Sequence, residues 1–123
     1  MATNNLQRDN LEQIELKLKR LSTTIKTHTK DTCEVAISSV INRKDNHAHK
    51  VRPVNEIIHD ICDDNRWTYI NNKSITNLCR DNLHPDDRGL SFLARNFQDF
   101  LRCVHPHLFP RTIYPKWVTA LMT

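Results

Sequence analysis

Glycine is nearly missing from this chain. It occurs once in 123 residues, at Gly89. A sharp nucleophile elbow and a glycine-rich phosphate loop both depend on backbone conformations and close approaches that glycine supplies. Neither feature can be built from this sequence, so we expect no nucleotide-binding loop and no elbow-borne serine.

Closely spaced cysteines and long apolar runs are also missing. No C-x-x-C pair occurs, and Cys103, His105 and His107 have no second ligand pair at structural-zinc spacing, so we expect no metal site. Neither a signal peptide nor an apolar run of transmembrane length is present. We therefore predict that the protein is cytoplasmic, has no membrane partner and keeps its cysteines reduced. The four cysteines are Cys33, Cys62, Cys79 and Cys103.

Charge of one sign is not concentrated anywhere. The chain carries 18 basic and 14 acidic residues, a net charge of +4 and a pI near 9.0. Its densest basic stretch, residues 17–30, alternates with leucines and threonines and is typical of a solvated helix face. With no recognisable reading helix, we do not expect a nucleic-acid partner.

The length allows one domain with a thin core, since 38% of the residues are hydrophobic and 26% are charged. The first element is an amphipathic helix with Asp9 or Asn10 as its N-cap. Its apolar stripe is too short for a coiled coil and is expected to pack on a sheet, with self-association as the alternative. The stripe comprises Leu11, Ile14, Leu18, Leu21 and Ile25.

The rest of the pattern alternates strands and helices. Residues 33–41 and 67–71 are rich in β-branched, small and aromatic side chains and predict strands, the first one buried on both faces of a parallel sheet. Between them, apolar residues recur at helical spacing from Val51 to Cys62, with Pro53 in the first turn. Another helical pattern spans residues 90–101. Strand, helix and strand with short links predict a parallel pair in an α/β sandwich.

The candidate site is the D-x-x-H sequence formed by Asp81 and His84, on the loop before the last helix. A carboxylate three residues before a histidine can hold one imidazole nitrogen and leave the other free to take a proton. The alternative is that His84 is a surface residue and that Asp86 merely caps the next helix. The strand-like run before this sequence, the helix after it and the position of Gly89 between His84 and that helix favour the catalytic interpretation.

This block resembles the last signature block of the SGNH (GDSL-type) hydrolases, a family of esterases and lipases, which reads roughly D-x-x-H-P/L-N/D-x-x-G. Near the N-terminus Asn4 matches the family's oxyanion asparagine, although Ala2 and Asn5 replace the flanking Gly and Asp. Three further segments resemble SGNH-like domains of invertebrate mobile-element-associated genes. These segments are residues 37–45, 54–58 and 69–72.

The resemblance covers residues 2–102 and implies a partial domain over 1–102, followed by a tail over 103–123. It implies a partial three-layer α/β sandwich with a small parallel sheet, the flavodoxin-like SGNH fold without its N-terminal strands. It also implies that His84 is the general base and acid, that Asp81 orients it, and that Asn4 donates to the oxyanion. An acyl ester would be the substrate, and no cofactor is implied.

The family's nucleophile block has no counterpart here. The chain begins at what looks like the third block, so the serine and glycine blocks would lie upstream of Met1. None of the serines has a G-D-S context; they are Ser22, Ser38, Ser39, Ser74 and Ser91. We therefore expect a truncated hydrolase that is inactive alone, with a noncatalytic, self-associating interaction module as the alternative.

Overall fold

A computed structural model describes residues 6–107 of the chain. Within them, five helices and strands follow the predicted order, with one short turn of 3₁₀ helix before the second helix. They are α1 (Leu11–His28), β1 (Ala36–Ser38), the 3₁₀ turn (Ala48–Lys50), α2 (Val51–Asn65), β2 (Thr68–Ile70) and α3 (Asp87–Val104). The described residues thus form a mixed α/β structure that is mostly helical.

Helix α1 begins with a reciprocal cap at Asn10, one of the two predicted N-caps. The Asn10 side chain accepts the Gln13 N–H at 2.9 Å, and the Gln13 side chain accepts the Asn10 N–H at 2.9 Å. Each bond satisfies a backbone donor that a helix N-terminus leaves unpaired. The Lys50 ammonium donates to the Leu6 and Asp9 carbonyls at 2.9 and 3.2 Å, which holds this start against the beginning of α2.

The two strands pair in parallel, as predicted, with Ile37 opposite Tyr69. Both strands are shorter than the sequence indicates. Chain direction changes at a turn closed by the Cys33 N–H and the Lys30 carbonyl at 2.9 Å, so β1 starts late. It also ends early, because the Asn55 side chain of α2 bonds both the N–H and the carbonyl of Val40, at 2.7 and 3.0 Å.

The prediction that the first strand is buried on both faces was wrong. Every residue of β1 is half-buried, and Thr68 in β2 is exposed. The physical reason is the width of the sheet, since two short strands give little shelter to each other's faces. Within residues 6–107 the sheet has only these two strands.

One face of the sheet and helices α1 and α2 enclose the main hydrophobic cluster. Ile37 and Tyr69 pack against it from the strands, and Leu18 packs against it from α1. The α1 stripe was expected to pack on the sheet, but it packs chiefly on α2. The buried members of the cluster are Leu6, Ile14, Val40, Val51, Val54, Ile58 and Cys62.

Helix α3 packs against β2 and covers a second, smaller buried group. Side chains alternate along a strand, so Ile70 points away from the face that carries Tyr69. Ile70 and Ile75 are buried there, as are Ala94 and Gln98 of α3. None of the described helices is both long enough and apolar enough to cross a membrane.

Candidate functional site

The D-x-x-H loop is a small closed hairpin. Leu78 and Pro85 form an isolated antiparallel bridge at its base, and the Cys79 N–H donates to the His84 carbonyl at 2.8 Å. At its tip Asn82 takes a left-handed conformation, φ 59°, and its N–H donates to the Cys79 carbonyl at 3.0 Å. Asparagine tolerates this conformation better than most residues. The hairpin therefore fixes the backbone on both sides of Asp81.

The Asp81 carboxylate orients the His84 ring. One oxygen accepts the backbone N–H groups of Leu83 and His84 at 2.9 and 3.0 Å, and the other lies 2.5 Å from His84 Nδ1. An ionised carboxylate only accepts hydrogen bonds, so this contact assigns the proton to Nδ1. In the neutral ring Nε2 then carries the lone pair, which is the tautomer that a general base needs.

The same hydrogen bonds also change the pKa of Asp81. The hydrogen bond from His84, followed by those from the Leu83 and His84 N–H groups, lowers the pKa of Asp81 from 3.8 to about 2. The carboxylate is therefore ionised throughout the neutral range. Both side chains face solvent, since 71% of the His84 side chain and 47% of the Asp81 side chain are exposed. Water and small solutes can thus reach Nε2.

The hairpin lies beside the segment that follows the carboxyl end of β1. The Lys44 N–H donates to the Asn82 carbonyl at 2.8 Å. The preceding residue, Arg43, has a side chain that is only 1% exposed and pairs with the Asp45 carboxylate through Nε at 2.5 Å and through its terminal nitrogen. The pKa of Asp45 is lowered, and the hydrogen bond from Arg43 is the largest cause. An ion pair with a buried arginine and a half-buried aspartate thus braces the segment that contacts the hairpin.

A buried amide joins the carboxyl ends of the two strands to α3. Asn72 is fully buried; its N–H donates to Ser39 Oγ at 2.8 Å, and its side-chain amide donates to Ser38 Oγ at 2.5 Å and to the Ser39 carbonyl at 3.2 Å. Its oxygen accepts from the Asn96 amide at 2.9 Å. Asn72, which follows β2, therefore joins the end of β1 to α3. The hydroxyls of Ser38 and Ser39 serve this structural network.

Gly89 and Asp86 set how closely the hairpin sits on α3. The Asp86 side chain caps the helix by accepting the Gly89 N–H at 2.8 Å, and its own N–H donates to the Asn77 carbonyl at 3.0 Å. A Cβ at Gly89 would lie 2.5 Å from that carbonyl oxygen and 2.9 Å from Pro85 Cβ. Glycine is needed there for this close approach, which explains its fixed offset from His84.

The predicted site residues are therefore placed as follows. Asp81 and His84 are in direct contact, and Asp86 also performs the capping role that the alternative assigned to it. Asn4 lies outside the described residues, as does most of the predicted tail; α3 itself continues to Val104, past the predicted boundary at 102.

Sequence reasoning missed three residues near the site, namely Arg43, Asn55 and Asn72. Each is polar and lies in or next to a stretch that was interpreted by its hydropathy alone. Asn55 and Asn72 bond to residues 15 and 33 positions away, whereas Arg43 bonds to nearby Asp45. A run of polar residues directly after a strand was the available signal for Asn72. No local pattern marks Arg43 or Asn55.

The arrangement can accept a proton at an exposed imidazole nitrogen, and it holds the ring in one orientation. Among residues 6–107, no three side chains of His, Cys, Asp or Glu converge as metal ligands. In the described pair, Asp81 holds the His84 ring through Nδ1 and leaves Nε2 exposed.

No protein-family model, no curated protein and no solved structure matches this chain.

Proposed function

We propose that this chain is the C-terminal part of an SGNH-type ester hydrolase domain, with the Asp81 and His84 half of the catalytic site and without its nucleophile. The observation that carries the proposal is the 2.5 Å contact between Asp81 Oδ2 and His84 Nδ1. The other Asp81 oxygen accepts two backbone N–H groups, so the carboxylate cannot swing away without losing them. This is the geometry of the base half of a hydrolytic triad.

The location of the hairpin supports the same interpretation. In open α/β sheets, ligands bind outside the carboxyl ends of the strands. The bond between Lys44 and Asn82 ties the hairpin to the segment that leaves the carboxyl end of β1. The α/β layering, the parallel pair and the helix that follows the hairpin all agree with this type of domain.

The proposal also accounts for the serines. Ser38 and Ser39 are bonded to Asn72, and no serine in the chain has the sequence context of a nucleophile. Removal of the nucleophile lowers the turnover of a serine hydrolase about a million-fold. We therefore propose that the chain does not turn over esters by itself and that the serine block belongs to sequence outside it.

Hydrolysis of p-nitrophenyl acetate tests this. We expect the full chain to release p-nitrophenol no faster, per exposed histidine, than free imidazole, and we expect Asp81→Asn to leave that rate unchanged. His84→Ala controls for the contribution of this one ring, and His49→Ala controls for an exposed histidine outside the hairpin. Saturable turnover that requires both Asp81 and His84 would contradict the inactive assignment, because it would demand a nucleophile within this chain.

The transcript upstream of the Met1 codon provides the complementary test. We expect an in-frame strand followed by Gly-Asp-Ser, and we expect a protein that includes it to hydrolyse acyl esters with a dependence on Ser, Asp81 and His84. An in-frame stop with no such block would remove the support for this extension. An extended protein whose turnover survives His84→Ala would remove His84 from the mechanism.

A further inference from the structure

The outer edge of β1 carries unpaired backbone groups on two residues. The Val35 carbonyl accepts the Thr68 N–H at 3.0 Å, and the Ser39 N–H donates to a carbonyl of β2 at 2.9 Å, so residues 35 and 39 face β2. Backbone groups alternate along a strand, and the N–H and carbonyl groups of Ala36 and Ser38 therefore point to the opposite edge. Within residues 6–107, no strand pairs with that edge.

Helix α1 lies on the same face of the sheet as α2, on the side toward this edge. Ile14 and Leu18 of α1 share the main cluster with Ile37 of β1. The other flank of α2, which carries Glu56 and His59, lines an open groove beside β2, so α1 is not there. Packed helices are about 8–10 Å apart, whereas neighbouring strands are about 4.8 Å apart. A helix beside α2 on the β1 side therefore extends past β1, over the place of a further strand.

The apolar stripe of α1 is incompletely covered. Ile14 at its centre is 1% exposed, but Leu11 is 38% exposed, and Leu21 and Ile25 are only half-buried. A helix that packs on a sheet buries such a stripe against the strands below it. Here α2 and two short strands cover the centre of the stripe and leave both of its ends partly open. The uncovered apolar surface of α1 thus adjoins the unpaired edge of β1.

The chain enters α1 from the carboxyl end of the sheet. Lys50, at the start of α2, donates to the Leu6 and Asp9 carbonyls at 2.9 and 3.2 Å. That start lies past the carboxyl end of β1, because Asn55 in the second turn of α2 bonds to Val40. A strand that precedes α1 would end there, parallel to β1. Crossovers between parallel strands are right-handed in about 98% of cases. With α1 and α2 on one face, the hand that places β2 on one side of β1 places this strand on the other.

We propose that the outer edge of β1 binds a parallel strand formed by the polypeptide that precedes Leu6. The backbone of this strand pairs with Ala36 and Ser38, and its side chains on the α1 face cover the stripe near Leu21. The inference rests on the hydrolase proposal, which places a strand upstream of Met1, and adds where that strand lies and in which direction it runs. The strand then ends at the same end of the sheet as the D-x-x-H hairpin.

Two N-terminal extensions of the full chain test the edge. Val-Thr-Val-Thr-Val added before Met1 supplies a strand, and Gly-Ser-Gly-Ser-Gly at the same place is the control of equal length. We expect NMR-detected hydrogen exchange of the Ala36 and Ser38 amides to slow roughly tenfold or more with the first extension only. The Tyr69 amide, on the outer edge of β2, should not change, and the Thr68 amide, bonded within the sheet, should stay slow. Slowing at Tyr69 instead, equal slowing by both extensions, or no slowing would overturn the proposal.

The native chain distinguishes the other occupants. We expect fast exchange of Ala36 and Ser38 at every protein concentration. Slow exchange that appears as the concentration rises would mean that a second copy covers the edge, and slow exchange that survives removal of residues 1–5 would mean that another part of the chain covers it. Either result overturns the proposal. Slow exchange that is lost on removal of residues 1–5 would support it, because these residues directly precede Leu6.

Variants of α1 test whether the added strand lies beneath that helix. The slowing of Ser38 exchange by the Val-Thr extension should fall roughly threefold or more in Leu21→Ala, because the strand loses an apolar contact. Leu16→Ala, at a position of α1 that is 51% exposed, should leave it unchanged. Equal slowing in Leu21→Ala and the native chain, with the fold intact by far-UV circular dichroism, would contradict the position beneath α1. The extension carries no serine block, so these outcomes decide the position of the strand, and the transcript upstream of Met1 still tests the hydrolase proposal.

Discussion

The carboxylate of Asp81 combines two tasks that usually fall to different groups. It closes its own loop through the N–H groups of Leu83 and His84, and it orients the imidazole through Nδ1. A side chain as exposed as His84 would ordinarily sample several rotamers. Because the loop-closing bonds and the ring contact share one carboxylate, the ring orientation is coupled to the backbone conformation of the hairpin.

Titration of Asp81 should reveal this coupling. We expect a pKa of about 2 for Asp81 in the native protein and a higher value in His84→Ala. The rise should be partial, because the two backbone donors remain. Carboxyl carbon chemical shifts measured against pH give both values. His59→Ala removes a contact with another aspartate, Asp63, and should leave Asp81 unchanged. Equal Asp81 pKa values in the native protein and in His84→Ala would mean that the ring contact is not populated.

The same shift has a defined sign for stability. The folded-state pKa lies below the ordinary value of 3.8, so ionised Asp81 favours the folded state above about pH 4. That contribution is lost as the pH falls from about 4 to about 2. Urea unfolding across this window should show a smaller loss of stability in His84→Ala than in the native chain. An identical loss in both would place the acid sensitivity in other groups.

At the scale of the elements, caps could be predicted from sequence and strand lengths could not. Asn10 and Asp86 cap their helices through residues three positions away, so their patterns are local. The end of β1 depends instead on Asn55, which lies fifteen residues beyond Val40 and replaces a neighbouring strand as its hydrogen-bond partner. For the same reason, the Asp81 and His84 contact was predictable whereas the Asn72 junction was not.

Asn72→Ala tests that junction. The variant leaves Ser38 Oγ and the Asn96 amide without their partner in a buried region, which typically costs about 2–4 kcal/mol. We expect the free energy of unfolding, measured with urea, to fall by that amount. Lys73→Ala, at a neighbouring exposed position, should change it by less than about 0.5 kcal/mol. A near-neutral Asn72→Ala would mean that water can replace the amide and that the two strands and α3 are held by packing alone.

At the scale of the whole molecule, the question is how much apolar surface remains for a partner. The α1 stripe was predicted either to pack within the chain or to drive self-association. Ile14 is 1% exposed and Leu18 packs on the main cluster, so the centre of the stripe is already used. The large apolar side chains exposed on α1 are Leu11 and Leu16, at 38% and 51%. Two leucines provide far less than the roughly 1,200 Å² that a stable interface buries.

Sedimentation equilibrium of the full chain distinguishes the proposed hydrolase part from the alternative, a self-associating interaction module. We expect a monomer at every concentration up to the hundred-micromolar range, because the net charge of +4 opposes association and the described part of α1 offers too little apolar area to overcome it. Leu16→Lys should then sediment like the native chain, and Glu12→Lys serves as an exposed control on the same helix. A concentration-dependent dimer that Leu16→Lys abolishes and Glu12→Lys retains would instead establish α1 as an association surface. The interaction-module function would then replace the hydrolase proposal as the better account of the molecule.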